Sequence, residues 1–162
     1  RKVLGESTGI VEMQGHEKGI SLNVGTVNII HNKLVGSPLH LQQILQNIGS
    51  NAVNYNRVGG KIVVGCQEIS SDDRIAVFEF TCTDNGIGMS EEFQKHLFEP
   101  FTQENRLEQK ANMGTGLGMT IVSQLVTLMG GQICFTSKVD EGTSFVITLP
   151  FHIVSDRELK MP

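Results

Sequence analysis

The chain has 162 residues, of which 39% are hydrophobic and 19% charged, and its formal net charge is −4. That length and composition fit one ordinary domain with a real core and exclude a disordered segment. They also contain no apolar run long enough to span a membrane, no signal-peptide pattern at the start, and no basic stretch of the kind that grips nucleic acid, so no nucleic-acid partner is expected.

From the N-terminus, the opening stretch to His16 is ambiguous and is read at most as a short helix. Residues 20–24 and 27–33 read as two strands of a hairpin. Residues 37–55 read as a helix: Ser37 is a good N-cap, Pro38 suits the first helical position, and Leu41, Ile44, Leu45, Ile48 and Ala52 form an apolar stripe. A turn at 57–60 leads to two alternating, β-branched strands, 61–69 and 74–84. A short helix follows from Ser90 to about Leu97, with Glu91 and Glu92 favourably placed in its first turn. Residues 99–115 are polar and aperiodic, and within them roughly Thr102 to Met113 is expected to be the most mobile part of the domain. Residues 116–129 form a second helix, read with Leu117, Ile121, Leu125 and Leu128 on one face and ended by Gly130 and Gly131. Residues 132–138 and 143–150 close the chain as a hairpin, and 152–162 read as a tail or linker. Hairpins separated by helices predict a mixed, mostly antiparallel sheet with helices packed on one face. Cys66, Cys82 and Cys134 are widely spaced and form no CxxC pair, and are read as reduced thiols on strands in a cytosolic compartment.

Three constellations carry chemistry. Asn47 and Asn51 are one helical turn apart and share a face away from Ile44 and Ile48. An amide oxygen there can complete the shell of a Mg²⁺ ion whose charge is met by phosphate, although two solvated polar residues on an amphipathic helix give the same pattern. Asp84 stands at a strand end before Gly86 and Gly88; its carboxylate can accept from an exocyclic amine while the glycines pass beneath a flat ring, or the segment is a plain Asn-Gly turn. Gly114, Thr115, Gly116, Leu117 and Gly118 open a helix, which combines close backbone approach with the positive helix end that seats phosphates. No Gly-Lys-Ser/Thr follows, so this is not a Walker A loop, and no strand precedes it as in a dinucleotide fold.

Taken together, QQILQNIGSNAVNYN (42–56), DNGIGM (84–89), FEPF (98–101) and MGTGLGM (113–119) resemble, in order and spacing, the N, G1, F and G2 boxes of the sensor histidine kinase catalytic domain. HEKGISLNV (16–24) and EGTSFVITLP (141–150) resemble its entry and closing segments, so the likeness covers residues 1–151. The resemblance implies the two-layer α/β sandwich of the GHKL superfamily, called the Bergerat fold and shared with gyrase-type ATPases, large heat-shock chaperones and mismatch-repair ATPases. It implies ATP and Mg²⁺ as ligands. Asn51 resembles the Mg²⁺ ligand, with Asn47 beside it. Asp84 resembles the aspartate that holds the adenine amino group, and Gly86, Gly88 and Met89 the segment beneath the base. Gly114, Thr115, Gly116, Leu117 and Gly118 match the phosphate segment. Phe98 and Phe101 resemble the aromatics that anchor the ATP lid. Tyr55 lies where an aromatic flanks the nucleotide, and Thr143 belongs to the closing segment. Lys110 occupies a place in the lid where a basic residue is common, with Arg106 the other candidate for the γ-phosphate and a solvated surface charge the alternative for either.

Two positions depart from that pattern. Asn54 stands where a lysine or arginine is usual, which removes one phosphate-facing charge, and Met113 stands where a glycine is usual. Asn47 also bears on the choice of reaction: gyrase-like relatives carry a water-orienting glutamate there, and an amide cannot act as that base. Transfer to a protein side chain is therefore favoured over hydrolysis. A degenerate nucleotide-binding module and a GHKL-type ATPase remain the alternatives. None of His16, His31, His40, His96 and His152 has the sequence context of a phosphorylated histidine. The resemblance thus implies a catalytic fragment of a two-component phosphorelay protein, working on a histidine of a separate dimerisation domain. It further implies a homodimeric full-length protein, a response-regulator receiver domain as partner, and a cytoplasmic location, with an inner-membrane anchor elsewhere left open.

Overall fold

A computed structural model describes residues 1–103 and 116–154. The opening stretch is a full helix, α1 (Lys2–His16), rather than a short one. It has no side-chain cap and three internal glycines, so its stability comes from packing: Val11 is buried against Gly49, where a Cβ would overlap it. Strand β1 (Ser21–Asn28) follows, then β2 (Leu34–Val35) and α2 (Pro38–Asn54). The Ser37 hydroxyl accepts from the His40 amide at 3.2 Å, which caps α2 as expected. Strands β3 (Lys61–Ser71) and β4 (Ile75–Asp84), helix α3 (Glu91–Gln94), helix α4 (Gly118–Leu128) and strands β5 (Gln132–Lys138) and β6 (Gly142–Ile153) complete the order.

The strands form one six-stranded sheet in the order β1-β3-β4-β6, with β5 and β2 both on the far side of β6. Only β1 and β3 run parallel; every other pairing is antiparallel. One face of β4 is the clearest core signal, because Ala76, Phe78, Phe80, Cys82 and Asp84 alternate inward. Opposite them α2 buries Ile44, Ile48 and Ala52 of the stripe read from the sequence, adds Val53, and leaves Leu41 and Leu45 half-buried. Cys66, Cys82 and Cys134 are free thiols on β3, β4 and β5, as read; burial pushes Cys82 up to about 12 and leaves it unreactive.

Three expectations need correction. The hairpin 20–24/27–33 does not form. The backbone runs on past Gly25 as a single bulged strand paired with β3. The residues beyond it are captured by Glu68 of β3: its carboxylate accepts from the amides of Ile30 at 3.0 Å and His31 at 2.8 Å, and lies 2.6 Å from His31 Nδ1. Amides satisfied by a buried carboxylate cannot also build a ladder, and the chain crosses to the opposite edge to form β2. In α4 the inward face is Met119, Val122 and Val126, while Leu128 is 70% exposed. That helix carries apolar residues on most of its circumference, so periodicity alone does not choose the buried side. Finally, the last strand passes His152: His152 pairs with Val35 and Ile75, and Ile153 with Leu34.

Candidate functional site

The cleft lies between the C-terminal half of α2, the segment after β4, the start of α4 and the first residues of β6. Helix α2 turns Asn47, Ser50, Asn51 and Asn54 into it, on the flank that adjoins Ile44 and Ile48. Tyr55, the C-cap of α2, lines it as well, and its carbonyl accepts from the Ile87 amide at 3.0 Å. That bond ties the end of α2 to the segment after β4.

Asp84 sits at the floor, 8% exposed. Burial pushes its carboxyl up to about 6, against the opposing pull of the Gly86 and Thr143 amides. One of its oxygens, Oδ1, accepts from Gly86 at 2.8 Å. The neighbouring Thr143 hydroxyl is 2.8 Å from Ser137 Oγ, which also accepts from the Met89 amide at 2.9 Å. Gln94 of α3 donates to the Met89 carbonyl at 2.9 Å. Asp84, Met89 and Thr143 are thus fixed by one network whose supports, Ser137 and Gln94, carry no motif and are invisible in the sequence.

Gly86 and Gly88 do not line the cleft. A Cβ at Gly86 would overlap the Tyr55 carbonyl, and one at Gly88, which has φ +64°, would overlap the Lys138 carbonyl. Both glycines let the 84–89 segment close against protein backbone, a different reason from passing beneath a ring. Met89 does line the cleft, with Phe93, Leu97, Met119 and Phe145 completing an apolar wall that sequence reasoning missed. Phe145 was reachable, since strand alternation puts it on the same face as Thr143.

Of the two aromatics expected to anchor the lid, only Phe98 is packed. Its ring meets Phe135 edge-on at 5.8 Å, and its carbonyl accepts from the Thr120 hydroxyl at 3.0 Å. Phe101 is 75% exposed at φ 60°, and its backbone makes the junction instead: its amide donates to the Gly116 carbonyl at 3.1 Å. Gly116 and Gly118 line the cleft where α4 begins, Gly118 close to the Asn47 amide oxygen; Leu117 is the N-cap of α4 and lies outside the lining. The N-cap residue Leu117 supplies no side-chain cap to α4. Arg106, Lys110, Met113, Gly114 and Thr115 lie outside the described residues.

Among the described residues no lysine or arginine lines the cleft, and Asp84 is the one ionisable carboxyl or imidazole group there. No cluster of His, Cys, Asp and Glu able to hold a metal occurs among them either. Away from Asp84, the described residues offer a cation only neutral donors such as the Asn51 amide oxygen, so most of its shell and its countercharge would come from a ligand.

Comparison with known proteins agrees with this geometry. The family model described as "Histidine kinase-, DNA gyrase B-, and HSP90-like ATPase" matches residues 36–153. Signal transduction histidine-protein kinase BarA of Escherichia coli (strain K12) is 32% identical over 156 residues, covering 96% of this chain and 16% of that protein. Hybrid signal transduction histidine kinase F of Dictyostelium discoideum is 35% identical over 160 residues, covering 94% and 14%. The chain therefore spans less than a fifth of either relative. Among solved structures, full-length ShkA in complex with AMPPNP matches with TM-score 0.76 at 26% identity, over 95% of this chain and 30% of that one. The mycobacterial sensor histidine kinase MprB matches with TM-score 0.72 at 26% identity, over 94% and 96%.

Proposed function

The chain belongs to the histidine kinase-, DNA gyrase B- and HSP90-like ATPase family, as a catalytic domain of the sensor histidine kinase type, and we propose accordingly that it binds ATP with Mg²⁺ and transfers the γ-phosphoryl group to a histidine of a separate dimerisation domain. The observation that carries the reading is Asp84, a buried carboxylate at the floor of a cleft whose opposite wall offers Asn51 and the uncapped start of α4.

In this reading Asp84 accepts from the adenine amino group, with Met89 and Thr143 beside it and Tyr55 flanking the base. Asn51 would hold Mg²⁺ through its amide oxygen, and the ion would supply the positive charge that no described side chain lining the cleft offers the phosphates. Gly116 and Gly118, with Gly114 and Thr115 before them, let backbone amides approach the phosphates. Lys110 is assigned to the γ-phosphate. The incoming imidazole needs little activation, because its unprotonated nitrogen is nucleophilic near neutral pH. As its N–P bond forms, the bond between the γ-phosphorus and the β-phosphate oxygen breaks and ADP leaves. Histidine-bearing dimerisation domain, receiver-domain partner and homodimer are parts of the same proposal for the longer protein. No described helix is long and apolar enough to cross a membrane.

Hydrolysis is the competing reading, and Asn47 weighs against it. An amide at this position cannot take a proton from water, and among the described residues the one carboxyl group lining the cleft, Asp84, belongs to the base-recognition end. The test supplies a cognate dimerisation domain in trans with γ-labelled ATP. Label should move to its histidine, the isolated chain should release negligible phosphate, and Asn51→Ala should abolish transfer while Asn47→Ala weakens it less. Robust phosphate release that Asn47→Ala removes would instead mark a hydrolase.

A further inference from the structure

The molecule has a second interior space, remote in composition from the nucleotide cleft. It lies under α1, walled by that helix, by α2 and by the inner face of β1, β3, β4 and β6, and has a volume of about 80 Å³. Its lining is almost wholly apolar, with Val11, Leu22, Ile48, Phe80 and Ile147 the main contributors. A larger space of about 230 Å³ adjoins it beneath the start of α1, and the two share Leu4, Cys66 and Phe80. Three hydroxyl side chains, Ser7, Thr8 and Thr81, interrupt the apolar surface. Ser7 is 3% exposed, lines the smaller space, and its hydroxyl has no hydrogen-bond partner.

An orphaned hydroxyl in an apolar wall is costly, and proteins rarely leave one without cause. Helical serines ordinarily relieve the cost by donating back to a carbonyl one turn earlier. Thr8 does so, to Leu4 at 2.7 Å, whereas Ser7 does not. Water is a poor match for most of this space, because a buried water needs about three polar partners and the lining is mainly apolar, with Thr8 already bonded to Leu4. The matching occupant has a hydrocarbon body and a single group able to bond a hydroxyl. We propose that this space is a binding site for a small, mainly apolar molecule carrying one hydroxyl or carbonyl group, which bonds Ser7 and extends toward the adjoining cavity.

An entry path exists. Val24 and Val27 of the edge strand β1, 58% and 50% exposed, form part of the lining and mark its mouth. The facing wall is α1, whose internal glycines Gly5, Gly9 and Gly15 lower helix stability. Small displacements of α1 therefore admit a guest at low cost.

The test titrates the isotope-labelled chain with para-ethylphenol and, separately, with ethylbenzene, following backbone and methyl resonances. Saturable shifts should centre on Ser7, Val11, Leu22 and Ile48. Ser7→Ala should weaken para-ethylphenol about tenfold, as one lost buried hydrogen bond does, and leave ethylbenzene as tight or tighter. Ser7→Leu should fill the space and remove both responses. The proposal is overturned if neither compound shifts these residues up to its solubility limit, if the shifts centre on Asp84 and Asn51, or if Ser7→Ala leaves the para-ethylphenol affinity unchanged. The Ser7→Ala comparison decides the matter even if the leucine variant does not fold.

Discussion

Asp84 pulls stability and binding in opposite directions. Its carboxyl titrates at about 6 in the folded chain against an ordinary value of 3.8. Because the folded value is the higher one, burial of this group is without penalty below about pH 4, where it is protonated in both states. The penalty grows as pH rises through about 6, reaching roughly 3 kcal/mol for a shift of this size. Nucleotide recognition as proposed needs the ionised form and should strengthen over that same interval. Asp84→Asn should therefore leave the free domain as stable or more so at pH 7, while ATP affinity falls by roughly 1–3 kcal/mol. Calorimetry with ATP and GTP at about pH 5 and 7.5, on either side of that titration, beside urea unfolding of the free chain, checks both signs. GTP binding as tightly as ATP would remove the assignment.

Glu68 shows the opposite balance. Burial raises its carboxyl, but the His31 amide and imidazole and the Ile30 amide outweigh that and hold it below the ordinary value of 4.5. Its contribution to stability is thus present above the ordinary glutamate range and is lost as pH falls through the lower, folded value. Glu68→Ala should cost roughly 1–3 kcal/mol at pH 7, since it removes the acceptor shared by the part-buried Ile30 and His31 amides. The expected readout is an earlier urea midpoint together with fast amide exchange at Ile30 and His31. An unchanged midpoint would mean that β2 is held by its pairing with β6 alone.

Among the elements, the decisive joint is where the segment after α3 meets α4. Gly116 has φ +74°, and a Cβ there would lie about 2.9 Å from Phe101 backbone atoms. Alanine is disfavoured both by its conformation and by the close approach. Gly116→Ala should lower stability by about 1–3 kcal/mol and loosen the Phe101–Gly116 hydrogen bond. ATP affinity should fall with it, while circular dichroism keeps its native shape. If affinity holds while stability drops, the joint supports the fold without shaping the phosphate end. Helix α2 serves two tasks through one periodicity: it buries Ile44 and Ile48 and, on the adjoining flank, presents Asn47 and Asn51. Changing its core face should therefore also disturb the metal end.

Across the molecule, the cleft has no described cation of its own, so binding should depend steeply on Mg²⁺. With ATP at about 100 times its dissociation constant, linkage predicts a stability gain of about 2.7 kcal/mol. Chelating the metal should remove most of the accompanying rise in Tm, and Asn51→Ala should remove it even with Mg²⁺ in excess. A thermal shift that survives both would place the dominant phosphate contacts on protein groups instead. The space beneath α1 is separated from this behaviour by α2 and Phe145, so Ser7→Ala should leave the ATP-induced shift intact.

Elements that carry their own local signals were legible in the chain alone. The Ser37 cap, the α2 stripe and the β-branched alternation of β3 and β4 reappear because capping and burial periodicity act within a few residues. The order of the four boxes likewise identified the family, and Asn47, Asn51, Tyr55, Asp84, Met89, Gly116, Gly118 and Thr143, all named from it, do meet in one cleft. The rest arose only in three dimensions. Glu68, distant in sequence, turned an expected hairpin into two strands on opposite sides of the sheet. Docking against α2 chose which side of the broadly apolar α4 faces inward. Ser137 and Gln94 acquired their roles from atoms they meet only after the sheet has formed. Each of these depends on a contact between residues far apart in the chain, and such contacts leave no local pattern to read.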